Sequence, residues 1–252
     1  VGEEFTFGSL FAGIGGFDLG LERAGMTCKW QVEIDPYATR VLAKHWPDVR
    51  RWDDVRTFPP AEGDWGVDLI CGGFPCQDIS DAGNKEGLTG QRSGLWSEYK
   101  RIIREIQPRF MLVENVSALL KRGMGTVLAD LASLGMDAEW TSLSACALGA
   151  PHTRQRVFIV AYPKKSRWRH ERPEIQIFQP GQGRTKTRWA GERQIAIALS
   201  KYGIHPHSPD MRVADEFPDW MDRIGACGNA VVPQVAEWIG RRIMECEHER
   251  TV

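Results

Sequence analysis

Tyrosine is scarce in this chain, with four residues against ten tryptophans and ten phenylalanines. Other signatures are missing outright. The six cysteines (Cys28, Cys71, Cys76, Cys146, Cys227, Cys246) include no C-x-x-C pair and no Cys/His grouping at zinc spacing, so neither a disulfide framework nor a metal site is suggested. No apolar run approaches the roughly 18 residues that a membrane-spanning helix needs. No secretory pattern opens the sequence, and a reducing, cytoplasmic setting with free thiols is expected. Charge of one sign is not in excess either, the net charge being -1 over 252 residues. The whole-chain balance therefore does not announce a polyanion partner. No internal repeat is found, and the length suits one large domain or a domain with a small appendage.

What is present begins with an apolar strand, Phe5 to Ala12, then Gly13-Ile-Gly-Gly16 and a helical pattern through Phe17, Leu19, Leu21 and Ala24. A second strand, Thr27 to Ile34, ends in Glu33-Ile-Asp35-Pro36, where Asp35 suits a helix N-cap and Pro36 the first helical position. The helix Tyr37 to Trp46 follows. Asp53-Asp54 precede Val55 at another strand edge, and Val67 to Cys71 forms a short buried run. Leu95 to Gln107 reads as an amphipathic helix with Trp96, Tyr99, Ile102, Ile103 and Ile106 on one stripe. Arg109 to Val113 is a strand that delivers Glu114, and Met124 to Leu134 a helix. Asp137 to Cys146 is an edge-type strand and Val157 to Ala161 a buried one. A helix over Gln234 to Met244 closes the pattern. Strands and helices alternate, which predicts an α/β fold with a doubly wound, mostly parallel sheet.

The chemistry-bearing positions gather at the carboxyl ends of the expected strands, the edge where such sheets bind ligands. Gly72-Gly73-Phe-Pro75 turns Cys76 out of the strand that precedes it. A small buried hydrophobe is the alternative reading of that thiol. Residues 77–94 are polar and glycine-rich, and a segment of that kind after a candidate nucleophile suits a closing lid. Glu33 stands 20 positions after Gly13, where α/β folds place an acid for a ribose hydroxyl pair, or it is a solvated strand end. Glu114 would be costly to bury without a partner. Between Pro163 and Arg193 nine Lys/Arg face three Asp/Glu. That stretch has little apolar period and predicts a small, loop-rich basic subdomain over 163–209, inserted between catalytic parts at 1–162 and 210–252.

Five of these pieces, Phe11-Ala-Gly-Ile-Gly-Gly16, Gly73-Phe-Pro-Cys-Gln77, Glu114-Asn-Val116, Arg154-x-Arg156 and Gly228-Asn-Ala-Val-Val231, occur in the order found in DNA (cytosine-5)-methyltransferases. The chain resembles that family over about residues 5–162 and 212–245. The resemblance implies the S-adenosylmethionine (AdoMet)-dependent methyltransferase fold, with the C-terminal helix beside the N-terminal strand. It also implies that Cys76 is the nucleophile at cytosine C6, a task for which an accessible thiolate is suited. Glu114 matches the carboxylate at cytosine N3, and burial that raises its pKa would keep it protonated. Arg154 and Arg156 match the arginine pair beside the pyrimidine carbonyl and that carboxylate.

For the cofactor the resemblance implies Phe11, Ala12, Gly13, Ile14, Gly15 and Gly16 around the methionine and adenosine parts. Glu33 with Ile34 would lie at the ribose, and Asp54 with Val55 at the adenine, Asp53 ranking second. Gly73, Pro75, Asn229 and Ala230 complete the pocket. No metal is implied. The substrate would be a cytosine extruded from duplex DNA. Gln77, Ser80, Arg92, Lys164, Lys165, Arg167, Arg169, Arg184, Lys186 and Arg188 are candidate DNA contacts, each with a solvated surface role as its alternative.

Two features depart from the family pattern. His152 replaces a glutamine that usually stands two positions before the arginine pair, and the recognition segment is short. A monomeric bacterial or phage enzyme of restriction–modification type is the leading expectation, with a cognate restriction endonuclease as candidate partner. A tRNA cytosine-C5 methyltransferase of the same family and a non-catalytic DNA-binding module are the rivals. A nicotinamide dehydrogenase on the same glycine turn is more remote, because it leaves the Pro-Cys-Gln element unexplained.

Overall fold

Strand β1 (Thr6–Leu10) sits inside a seven-stranded sheet, hydrogen-bonded to β2 (Thr27–Val32) on one side and β4 (Leu69–Gly72) on the other. Its structure, a computed structural model, describes residues 4–75, 94–148, 154–164, 177–178 and 229–251. With β3 (Arg50–Trp52), β5 (Phe110–Val116), β6 (Met136–Ser144) and β7 (Gln155–Pro163) the strand order is β3-β2-β1-β4-β5-β7-β6. The first five strands are parallel, and β7 runs antiparallel to both β5 and β6. The order reverses between β1 and β4, leaving a crevice at their carboxyl ends where the chain departs in opposite directions.

Both faces are covered, and this explains why the central strands read as unbroken apolar runs rather than as alternation. Along β4, Leu69 and Cys71 face one hydrophobic cluster while Ile70 faces the other, and β5 splits likewise at Phe110 and Leu112 against Met111 and Val113. One cluster takes Trp96, Tyr99, Ile102 and Ile103 from α3 (Leu95–Ile106) and Val127 and Leu131 from α5 (Met124–Ser133). The other takes Phe17 and Leu21 from α1 (Gly16–Arg23) and Val235, Ala236, Ile239 and Ile243 from α6 (Pro233–Thr251). A short α4 (Leu119–Arg122), absent from the sequence reading, follows β5.

Local signals set most boundaries. Asp35 caps α2 (Pro36–His45), its Oδ1 accepting the Ala38 N–H at 2.8 Å, with Pro36 at the first position. A cap of this kind is worth about 1 kcal/mol. Helix α6 runs to Thr251, beyond the Met244 expected from apolar spacing. The Arg242–Glu245 ion pair at 2.6 Å crosses that expected end, and a helix-face pair of this spacing supports a polar continuation.

The resemblance placed α6 beside the N-terminal strand. The helix shares one hydrophobic cluster with Phe7 of that strand and Phe5 just before it, and its main neighbour is α1, the helix that follows the strand. Small residues allow the approach: a Cβ on Gly16 would meet the Val231 carbonyl oxygen at 2.2 Å, and one on Gly20 the Pro233 oxygen at 2.4 Å. At the opposite sheet edge Arg109 pairs with Asp68 at 3.1 Å and also with Glu247, tying β5 and β4 to α6. Ile177 and Phe178, from the basic stretch, pack on the same cluster as α6, and the Phe178 ring stacks on Trp238 at 6.3 Å.

Candidate active site

At the carboxyl end of β1 the backbone turns sharply. Gly13 (φ 55) and Gly15 (φ 86) hold left-handed conformations that a side chain would resist, and Phe11 itself sits at φ 52. Glu33, just past β2, closes the turn from the side. Its Oε2 accepts the Gly13 N–H at 2.6 Å and its Oε1 the Asp35 N–H at 2.8 Å. One carboxylate thus joins the glycine turn to the start of α2 and keeps lone pairs on both oxygens for a further donor.

A cavity of about 530 Å³ opens beside it, a volume in the usual range for cofactor sites. Of the positions the resemblance assigns to the cofactor, Phe11, Gly13, Glu33, Ile34, Asp54, Val55, Gly73, Pro75 and Asn229 line it, and so does Asp53. Val32, Asp35, Ala38, Arg56 and Leu95 line it as well and were not foreseen. Ala12, Ile14, Gly15 and Gly16 are not among the lining residues. They shape the turn from behind, Gly15 against the Trp46 ring and Gly16 against Val231. Ala230 lines a smaller neighbouring recess with Glu114, Arg154 and Arg156.

The donor set fits AdoMet. A half-buried acid (Glu33), a 65% exposed Ile34 and two further acids (Asp53, Asp54) are groups that would suit its ribose hydroxyls, its adenine ring and the amino group on that ring. Asp54 caps the single 3₁₀ turn Val55–Thr57, its Oδ1 accepting the Arg56 N–H at 2.9 Å.

Next to this cavity lies the carboxylate of Glu114, 8% exposed within β5. Arg156 Nε stands 3.0 Å from its Oε1, a half-buried ion pair. Burial pushes the Glu114 pKa up, and the charges of Arg156 and Arg154 pull against that without cancelling it. The neighbouring strand end must be bare of side chain here: a Cβ on Gly73 would come within 2.8 Å of Glu114 Oε2.

Arg154 is half-buried, its pKa lowered by burial and by the like charge of Arg156. It donates to the Asn229 carbonyl oxygen at 3.1 Å, joining the arginine motif to the motif that precedes α6. Asn115 donates from Nδ2 to the Phe74 carbonyl at 3.2 Å and accepts the Val116 N–H at 2.8 Å. The turn leading to position 76 is therefore held from β5.

Cys76, Gln77, Ser80 and Arg92 lie outside the described residues, as do His152, Lys165, Arg167, Arg169, Arg184, Lys186 and Arg188. Lys164 is exposed at the end of β7, and its backbone N–H donates to the Gly135 carbonyl at 2.9 Å. Among the described residues no group of His, Cys, Asp and Glu could hold a metal ion, and no helix is long and apolar enough to cross a membrane.

Comparison with known proteins points the same way. The family model described as C-5 cytosine-specific DNA methylase matches residues 5–201. The Type II methyltransferase M2.BsuMI of Bacillus subtilis is 38% identical over 161 residues, covering 61% of this chain and 41% of that protein. The Type II methyltransferase M.AluI of Cellulosimicrobium cellulans is 33% identical over an alignment of 262 positions, covering 87% of this chain and 50% of that protein. The chain thus spans about two fifths to a half of the length of these relatives. Among solved structures, a DNA modification methyltransferase encoded within an Escherichia coli prophage superposes with a TM-score of 0.66 at 19% identity. It covers 97% of this chain and all of that one, a likeness of fold.

Proposed function

The chain belongs to the C-5 cytosine-specific DNA methylase family, and on that premise we propose that it methylates C5 of a cytosine extruded from duplex DNA, with AdoMet as methyl donor. The observation that carries this reading is Glu114. It is a buried carboxyl with a raised pKa, paired with Arg156 and set against the glycine that precedes Phe74-Pro75-Cys76.

Cytosine C5 is a weak nucleophile, and addition of a thiolate at C6 makes it an enamine. Cys76 supplies that thiolate. Glu114, protonated, donates to N3 as negative charge gathers on the ring, and its desolvated setting makes that donation strong. Arg156 fixes the carboxyl from one side. Arg154, half-buried and fixed by Asn229, presents its planar guanidinium toward the pyrimidine carbonyl. Glu33 and Asp54 would hold the ribose and adenine ends of AdoMet, whose sulfonium would supply the methyl group and depart as S-adenosylhomocysteine, loss of the C5 proton then releasing Cys76 from C6.

Residues 163–209 are the target-recognition subdomain, with Lys164, Lys165, Arg167, Arg169, Arg184, Lys186 and Arg188 on phosphates or guanine edges. Gln77, Ser80 and Arg92 contact DNA from the segment that closes over the base. The relatives' designation as Type II methyltransferases supports a modification enzyme of restriction–modification type; its setting in this reading is a bacterial or phage-infected cytoplasm and its state a monomer. It also favours DNA over tRNA as the acceptor.

Transfer of labelled methyl from AdoMet to a duplex library, scored beside tRNA, tests the activity. Wild-type protein labels the duplex and traps covalently on a 5-fluorocytosine duplex, and Cys76→Ala does neither. Full activity in Cys76→Ala sinks the mechanism.

A further inference from the structure

Arg101 lies on the polar flank of α3 and is spent entirely on neighbours. Its Nε donates to Glu98 at 2.8 Å and its Nη1 to Glu105 at 2.9 Å, one turn to either side. Those two carboxylates hold the guanidinium plane, and its Nη2 reaches across to a different part of the chain. There it donates to the Val55 carbonyl at 3.0 Å and to the Phe58 carbonyl at 2.6 Å. These carbonyls bracket the single 3₁₀ turn on which Asp54, Val55 and Arg56 line the cofactor cavity.

A turn of three residues holds itself poorly. Its own closing bonds are the Thr57 N–H to Asp54 oxygen at 3.1 Å and a long Phe58 N–H to Val55 oxygen contact of 3.4 Å. Phe58, fully buried against the Trp30 ring at 4.6 Å, fixes how deep the turn sits, and Trp52 Nε1, donating to the Thr57 hydroxyl at 2.8 Å, holds its far end, which leaves the Val55 and Phe58 carbonyls to Arg101. Rotation is what decides where Asp54 points. Helix α3, by contrast, is anchored on the sheet by four buried side chains and starts at Leu95, which lines the same cavity. Arg101 therefore transmits a rigid element's position to a soft one.

We propose that Arg101 is the positioning residue for the adenine end of the cofactor site, setting the Asp54–Val55–Arg56 wall at the distance and tilt that select adenine. This rests on the AdoMet reading of the cavity. Lysine cannot take the part. One ammonium on a flexible stem has no fork with which to hold two carbonyls while two carboxylates fix its plane.

The test is equilibrium binding by calorimetry of S-adenosylhomocysteine and of its inosine counterpart, in which oxygen replaces the adenine amino group. Wild type, Arg101→Lys, Arg101→Met and Glu105→Gln are compared, with thermal unfolding of each ligand-free protein alongside. Wild type binds S-adenosylhomocysteine and prefers it to the inosine form. In both Arg101 variants S-adenosylhomocysteine binding weakens about tenfold or more and the preference shrinks, the size expected when one well-placed polar contact is lost. Glu105→Gln, which removes one support of the guanidinium and leaves the core alone, moves both quantities the same way by a smaller factor. It reports on the role even if an Arg101 variant does not fold. Unchanged affinity and preference in the folded variants overturn the role of Arg101 while leaving the cofactor reading standing. Equal weakening of both ligands, in step with a lower unfolding temperature, overturns it too, because that marks a general loss of structure. Failure of the wild-type chain to bind S-adenosylhomocysteine overturns the cofactor reading and the proposal together.

Discussion

The Asn115 side chain in β5 holds the carbonyl of Phe74 at 3.2 Å, so the turn that presents position 76 is tethered to the strand that carries Glu114. The same amide fixes its own rotamer by accepting the Val116 N–H at 2.8 Å. The stretch through Phe74 is thus fixed to the neighbouring strand by a named bond.

Removal of that bond is expected to show in rate before it shows in binding. Asn115→Ala leaves a buried carbonyl without its partner, a cost of about 1–3 kcal/mol, and frees the turn to shift. A misplacement of about 1 Å at reacting groups is worth up to roughly a hundredfold. Single-turnover methyl transfer should fall by about ten- to a hundredfold, while S-adenosylhomocysteine affinity falls by a smaller factor, since Gly73 and Pro75 are a small part of the cavity wall. An unaltered rate would refute the tether.

Gly73→Ala makes a second, more local probe. The added Cβ would stand 2.8 Å from Glu114 Oε2, so the carboxyl must leave its place or the strand end must yield. Methyl transfer is expected to drop by roughly a hundredfold, a loss of transition-state contact rather than of binding. Thermal unfolding and S-adenosylhomocysteine titration establish that the variant is folded and loaded.

Glu114 ties activity to stability with opposite signs. Burial raises its pKa in the folded state, so the folded protein holds this proton more tightly than the unfolded chain. Any stability linked to that proton is present below the unfolded carboxyl pKa and is lost as pH rises through the folded one. Glu114→Gln cannot ionise and escapes the loss. Its unfolding temperature should therefore gain on the wild type as pH climbs from about 4.5 through the folded pKa, although its methyl transfer is crippled. Loss of the Arg156 charge in Arg156→Gln removes a pull toward ionisation. In that variant the fall of wild-type-like stability, and the high-pH limb of residual activity, should both move to higher pH. A shift to lower pH contradicts the assignment.

The sequence exposed features written in adjacent residues. Asp35-Pro36 announced the start of α2, and Glu33 could be set at a strand end because the apolar run before it stops there, whereas β5 runs past the expected end at Val113 to Val116, so that Glu114 lies inside it, paired with β7. Contacts made across the chain left no such trace. Arg56 and Leu95 enter the cavity wall only because a 3₁₀ turn and the first turn of α3 converge there. The Arg154–Asn229 bond spans 75 positions. Helix α4 is a single turn, too short to show a period. Ile177 sits in a stretch whose charge hides it, yet it is only 1% exposed.

That last residue carries a prediction for the basic stretch. Ile177 is buried on the cluster beneath α6, and Phe178 stacks on Trp238 while its N–H donates to Glu139 Oε2 at 3.4 Å. If 163–209 recognises DNA, this clip fixes the middle of the recognition segment to the sheet. Phe178→Ala gives up a ring pair worth about 1 kcal/mol, and duplex affinity should fall roughly fivefold. S-adenosylhomocysteine affinity should not change. Competition binding with a fluorescent duplex reads the first quantity and calorimetry the second. Equal duplex affinity would separate the clip from recognition.

The contact between α1 and α6 is the hardest test of how distant segments build one pocket. Gly20 faces backbone: a Cβ there would meet the Pro233 oxygen at 2.4 Å and the Glu237 nitrogen at 2.8 Å. Neither atom is the end of a flexible side chain, so Gly20→Ala must push α6 outward. Such overpacking costs about 1–3 kcal/mol. The displacement should be felt at Asn229, which precedes α6, lines the cavity and receives the Arg154 bond. Both the unfolding temperature and S-adenosylhomocysteine affinity should therefore fall. Gly125→Ala is the matched control, because on α5 a Cβ meets nothing within 4 Å. Alanine there should raise stability by about 0.5–1 kcal/mol through helix propensity alone, with binding untouched. If Gly20→Ala lowered stability without weakening the ligand, α6 would be a brace for the fold and not a wall of the site.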